Sequence, residues 1–216
     1  MPRDLFIVGT KGLAKEAAQL ARRIDPQAER WAAIHYVTHD PSLMGEARPF
    51  GRIDTRDESL QALDVPADVV VGIGHPHLRQ RLGERLRGNQ ALSFPNLTHP
   101  GVELDPALVR MGVGNMITQG VVLTCDIVLG DFNLLNWNVT IGHDCRIGSY
   151  NVINPGSSVS GHVMMGNACL VGTGARILEG REVSDAVTLG AGAVLTRSTV
   201  APGGTYLGVP ARRRDA

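Results

Sequence analysis

His143 and Asp144 are the adjacent residues best suited to chemistry in this chain. An imidazole titrates near neutrality, so it can take a proton from an attacking amine or hydroxyl. A neighbouring carboxylate favours the imidazolium that forms. Such a general base contributes about 10²–10⁴-fold to a rate. By residue type alone, the pair reads first as a surface histidine beside an acid. His162 follows 19 residues after His143, which raises a metal reading in which zinc would need three converging histidines. No third ligand stands well placed: His99 precedes the regular pattern described next, and the other four histidines are N-terminal. Cys125, Cys145 and Cys169 are odd in number and lack ligand spacing, so they read as reduced thiols and no metal is expected. A second candidate is the turn Gly9-Thr10-Lys11-Gly12, where backbone N–H groups can face a phosphate and Lys11 adds a charge. Its G-x-x-G spacing falls short of a dinucleotide fingerprint, and a plain strand-to-helix turn also explains it.

The element that must position His143 is a repeat. From Met111 every sixth residue is apolar, through Ile117, Leu123 and onward to Leu189 and Leu195, giving 15 positions without a break. With 43% of the chain hydrophobic, chance does not produce such a run. The next residue is small or polar in 14 of the 15, Leu178 being the exception, and is expected to let the chain turn a corner. A period of six suits neither an α-helix nor a heptad. It suits a three-sided prism with three hexads per coil, the aliphatics pointing inward and the coils stacked as parallel strands about 4.8 Å apart. Roughly five coils then span about 24 Å. Residues 18 apart become neighbours, so Gly161 stacks on His143 and its backbone N–H is a candidate oxyanion donor.

The N-terminal half reads as a parallel α/β unit. Leu5-Phe6-Ile7-Val8 is a short buried strand, and Ala14, Ala17, Ala18, Leu20, Ala21 and Ile24 mark a helix after the glycine turn. Strands are expected at Ala32–Val37 and Asp68–Ile73, and Gly74-His75-Pro76 opens a second helix. The domains are expected at 1–93 (small α/β, substrate-binding) and 107–216 (β-helix with its tail), joined by a Pro-rich linker at 94–106.

Composition narrows the functions. Basic and acidic residues balance at 21 each, so neither nucleic acid nor an anionic membrane is expected as a partner. No run is long enough for a signal peptide or a membrane span, which reads as a cytoplasmic protein. Aromatics are only 4% against 26 glycines, favouring a repetitive core of aliphatics over one built on rings.

The glycine-turn α/β unit, the hexads, the segments NWNVTIGHDCRIG and INPGSSVSG, and the closing YLGVPARR together resemble one family over nearly the whole chain. These are the sugar O- and N-acyltransferases related to sialic-acid O-acetyltransferase and bacillosamine N-acetyltransferase. The resemblance implies an α/β N-terminal Rossmann-like domain followed by a left-handed parallel β-helix; the hand is an exception to right-handed crossovers. It also implies a homotrimer with acetyl-CoA between neighbouring β-helices and a sugar or nucleotide-sugar acceptor held by the N-terminal domain. Carried over by position, His143 is the base, Asp144 its carboxylate and Gly161 the oxyanion donor. Gly172, Thr173 and Ala191 line the CoA arm, and Gly9, Thr10, Lys11, Gly12, Asp40 and Gly74 lie on the acceptor side.

Three places depart from that family. Val152 stands where several members have a second histidine touching the acetyl group, and its smaller side chain could admit longer acyl groups. Thr38-His39-Asp40 replaces consecutive acidic residues, and the glycine turn is less rich. Whether an amine or a hydroxyl is acylated is left open. Trp137 is expected near His143, at a subunit interface or against substrate. The rival readings are a non-catalytic β-helical scaffold and a zinc-dependent carbonic anhydrase-like enzyme.

Overall fold

In the computed structural model, which describes residues 2–199 and 201–214, β1 (Arg3–Val8) buries both of its faces. Leu5 and Ile7 point to one side, Phe6 and Val8 to the other, and all four are buried. A strand apolar on both faces belongs inside a parallel sheet covered twice. The sheet is completed by β2 (Trp31–Thr38), β3 (Ala47–Arg48), β4 (Gly51–Arg56), β5 (Ala67–Val71) and β6 (Leu92–Ser93), in the order β3-β4-β2-β1-β5-β6. Only β3 runs antiparallel to its neighbour. Helix α1 (Gly12–Ile24) covers one face with its alanine-rich stripe, and α3 (Pro76–Leu86) covers the other. A short α2 (Asp57–Gln61) adds Leu60 to the α3 side. Small residues on α1 allow a close approach: a Cβ on Gly72 would lie 2.8 Å from Ala14 Cα.

From β7 (Leu97–Thr98) onward the chain winds as a prism. Successive coils pair in parallel at a spacing of 18 residues, as in Val122↔Thr140↔Ser158↔Arg176. Three stacked parallel sheets result, and they fit a left-handed β-helix. The first face carries Met116–Ile117 through Thr188–Leu189, the second Val122–Leu123 through Val194–Leu195, and the third Val109–Met111 through Glu182–Val183. Of the 15 repeated aliphatics all are buried except Met111, which is partly so. Each buried side chain of this kind contributes about 1.5–3 kcal/mol. β7 pairs with Met116–Ile117, so the segment expected as a linker supplies the first rung of the first face.

The corners differ from expectation. Backbone with positive φ recurs at every sixth residue from Gly114 to Gly192, three positions after the inward aliphatic. Eight of those 14 are not glycine, Asp144 (φ 59°) and His162 (φ 57°) among them. Where the residue just after the aliphatic is glycine, another cause operates: the next coil lies too close for a side chain. A Cβ on Gly142 would lie 2.7 Å from Gly161 N, and one on Gly148 2.7 Å from Gly166 O.

The two halves share cores. α1, Leu5, Ile7 and Trp31 pack with Leu97, Met116, Leu134 and Val152 of the first face. On the other side Leu82 and Leu86 of α3 meet Phe132, Tyr150 and Ala168 at the corner between third and first faces. Gly83 permits this contact, since a Cβ there would sit 3.1 Å from Tyr150 Cε1. Arg79 of α3 is fully buried and donates to the carbonyls of Val71 (2.8 Å), Ile73 (2.9 Å), Phe132 and Asn133 (3.4 Å). A buried ladder runs beside it: Asn115 Oδ1 accepts from Asn133 N, Asn133 Oδ1 from Asn151 N, and Asn151 Oδ1 from Cys169 N, each 18 residues on. The last rung of the first face is a hairpin, Thr205–Leu207 followed by an exposed antiparallel Arg212–Arg214.

Candidate active site

His143 and Asp144 form the corner between the second and third faces. The left-handed turn at Asp144 brings its Oδ2 within 2.9 Å of His143 Nδ1. A carboxylate only accepts, so Nδ1 carries the hydrogen and Nε2 keeps a lone pair that can take a proton. Both side chains are about half exposed, at 50% and 47%. One coil on, the stacking expected for Gly161 is present: His162 N donates to His143 O at 2.8 Å. The His143 ring lies over Gly161, where a Cβ would come within 2.7 Å of Cε1 and 2.8 Å of Nε2. Among the described residues, Gly161 N–H has no acceptor within the protein. A base and an unpaired donor thus sit one coil apart. Gly161→Ala is expected to push the imidazole off its place and lower kcat at least tenfold with the fold intact, checked by steady-state kinetics beside circular dichroism.

Sequence reasoning found no third ligand for a metal because it counted histidines. His162, from the next coil, places Nε2 3.8 Å from Asp144 Oδ2, with its ring 5.0 Å from that of His143 at 87°. The carboxylate is the third donor, and the spacing of one coil plus one residue was the available signal.

Gly172, Thr173 and Ala191 line up along the corner between first and second faces, with Gly192 N donating to Thr173 O at 2.8 Å. Trp137 lies on that corner too, beside Arg23 and His99, and not on the His143 edge. Val152 is buried in the shared core that α1 helps to form, so within one chain its small side chain faces packed neighbours and not an acyl pocket.

Five of the six acceptor-side residues meet. Gly9, Thr10, Lys11, Asp40 and Gly74 line a cleft of about 790 Å³ at the C-terminal ends of β1, β2 and β5. Gly12 opens α1 but is not part of the lining. Thr38, His39, Arg81 and Arg85 also line it; the arginines were missed because they read as the solvent face of a helix. Lys11 caps the start of α1 and His75 that of α3, and neither helix has a side-chain cap or an acid in its first turn. Uncapped N–H groups and the helix dipoles favour an anion there. Arg85 is 3.3 Å from Asp57, while Lys11 and Arg81 have no acidic partner among the described residues. Asp40 has a second duty: its Oδ1 accepts from Ser42 N (2.9 Å) and Oγ (2.7 Å), and the Ser42 hydroxyl foremost holds its carboxyl below the usual range.

The α/β domain rests on the first face, whereas His143 stands on the edge opposite that face. No β-helix residue lines the cleft. In one chain, cleft and base therefore look away from each other.

The stacked parallel coils fit a left-handed β-helix, with the His143–Asp144 pair on one of its corners. No family model and no curated protein sequence matches the chain. Solved structures do. The acetyltransferase domain of PglB from Neisseria gonorrhoeae, in complex with acetyl coenzyme A, is 28% identical with a TM-score of 0.88, covering 99% of this chain and 100% of that one. PerB from Caulobacter crescentus, in complex with CoA and GDP-perosamine, is 29% identical with a TM-score of 0.86, covering 98% and 97%. WeeI from Acinetobacter baumannii AYE is 25% identical with a TM-score of 0.85, covering 98% and 100%. Mutants of the Caulobacter perosamine N-acetyltransferase with one histidine replaced match equally well. Across both halves the chain is thus similar in architecture to these sugar acetyltransferases.

Proposed function

We propose that this chain transfers the acetyl group of acetyl-CoA to the amino group of a nucleotide-linked sugar, with His143 as general base. The observation that carries this is the His143 ring held by Asp144 at 2.9 Å and seated over Gly161. The acceptor amine attacks the thioester carbonyl and passes its proton to His143 Nε2, while Asp144 stabilises the imidazolium. Gly161 N–H meets the developing oxyanion. Collapse expels the CoA thiolate, which takes the proton back from the imidazolium. Thr173, Gly172 and Ala191 would border the CoA arm.

On the acceptor side, the cleft on the α/β half, read as Rossmann-like, would hold the nucleotide. Lys11, Arg81 and the two helix N-termini supply charge for its diphosphate. Because cleft and base face opposite ways in one chain, the site is completed between copies, and a homotrimer is the expected assembly. No helix among the described residues is long and apolar enough to cross a membrane. A cytoplasmic location accompanies the use of acetyl-CoA.

The test is incubation with acetyl-CoA and a panel of UDP-, GDP- and dTDP-linked amino and hydroxy sugars, following thiol release. Release dependent on one amino sugar is expected. Release with a hydroxy sugar alone would change the acceptor to a hydroxyl, and CoA binding without any release would overturn the acceptor class. Sedimentation showing only monomer at micromolar concentration would rule out the shared site.

A further inference from the structure

Asp144 serves two imidazoles. Its Oδ2 lies 2.9 Å from His143 Nδ1 and 3.8 Å from His162 Nε2, and one donor atom from each residue falls within 4.8 Å of the others. We propose that these three residues bind a divalent transition-metal ion, and that the bound ion switches off acetyl transfer. The second half of this rests on reading His143 as the base.

Zinc bonds imidazole nitrogen at about 2.0–2.1 Å and carboxylate oxygen at about 2.0–2.2 Å, so donors around a tetrahedral ion lie about 3.4 Å apart. The two separations from Asp144 fall on either side of that value. His162 reaches the group because it sits one coil and one residue beyond His143, and its left-handed backbone repeats that of Asp144. All three side chains are exposed, which leaves an entry path, freedom for small adjustments and a fourth position for water. Two imidazoles and one carboxylate suit Zn²⁺, Co²⁺ or Ni²⁺; Mg²⁺ and Ca²⁺ prefer all-oxygen sites.

The inhibition follows from the tautomer. In the metal-free site Nδ1–H points at Asp144 and Nε2 keeps its lone pair. An ion bonded to Nδ1 needs the lone pair of that nitrogen, so the ring hydrogen leaves Nδ1 and the neutral ring carries it on Nε2 instead. The number of protons on the ring is unchanged, but the nitrogen that would accept the acceptor's proton no longer can.

The experiment uses the full-length protein without CoA, whose thiol competes for zinc. Zn²⁺ is titrated by calorimetry and Co²⁺ by its visible absorption; inhibition is then read from initial rates of acetylated product. One ion per chain is expected, with the zinc concentration that halves the rate matching the binding constant and EDTA restoring activity. Mg²⁺ should do neither. His162→Asn, chosen because asparagine tolerates a left-handed backbone, should weaken binding and inhibition at least tenfold, whatever its metal-free rate. Cys125→Ser should change neither. Absence of binding up to millimolar zinc, or binding indifferent to His162→Asn, would overturn the site. Binding that meets these terms with no acceptor ever acetylated supports the site and overturns the acyl-transfer reading.

Discussion

His143→Asn is expected to lower kcat by about 10²–10⁴-fold, or about 2.7–5.4 kcal/mol of transition-state stabilisation. The side chain is half exposed and bonds only to Asp144, so unfolding should be unchanged and the loss should lie in the chemical step. KM for acetyl-CoA should move little, because Gly172, Thr173 and Ala191, proposed to border the CoA arm, lie on another corner. Asp144→Asn is the informative companion. Asparagine tolerates the φ of 59° at this corner, so the variant removes charge without changing the backbone. It should retain more activity than the histidine variant, since the imidazole remains and only its orientation and electrostatic support are lost. Steady-state kinetics on the purified proteins decide this; a loss under about tenfold for His143→Asn would remove it as the base.

Arg79→Met is expected to cost about 3–5 kcal/mol of stability, the largest effect of any single change away from the active site. Its guanidinium is fully buried and reaches four carbonyls in two halves of the chain. Burial pulls its pKa down to about 9, which still leaves it charged at neutral pH. Methionine fills much of the space but leaves the Val71, Ile73 and Phe132 carbonyls without that donor; Asn133 O keeps its bond from Met116 N. Arg79→Lys should fail nearly as badly, because a compact ammonium cannot span a fork of acceptors. Urea denaturation would register the loss as a lower midpoint, and a shift equivalent to under about 1 kcal/mol would show that water replaces the guanidinium.

The prism was legible because its rule is local: one inward aliphatic per six residues, repeated without slip. The coil spacing then put Gly161 on His143 before any coordinates were needed. Features that depend on which surfaces meet could not be read so easily. GRIDTR is a strand, β4, yet only Ile53 in it is buried, so no apolar run marks it. Arg79 sits in HLRQRL, where nothing distinguishes a buried arginine from the solvated ones beside it. Glycines such as Gly142 and Gly148, which follow an inward aliphatic, looked like turn formers; the neighbouring coil, which sequence does not show, is what keeps them small. Lys11 and the arginines of α3 are separated by some 70 residues, and only the fold of the α/β sheet brings them to one cleft.

The hairpin that closes the first face has a consequence for solubility. A stack of parallel coils ends in unpaired backbone groups, and such an end is a template on which another molecule can continue the stack, as in a fibril. Here the final strand is Arg212-Arg213-Arg214, turned back antiparallel and fully in solvent. A second copy docking through its own C-terminal end would bring three more guanidinium groups against these three. Like charge at this edge of the face disfavours that contact, and removing it by Arg→Leu changes would expose a sticky end.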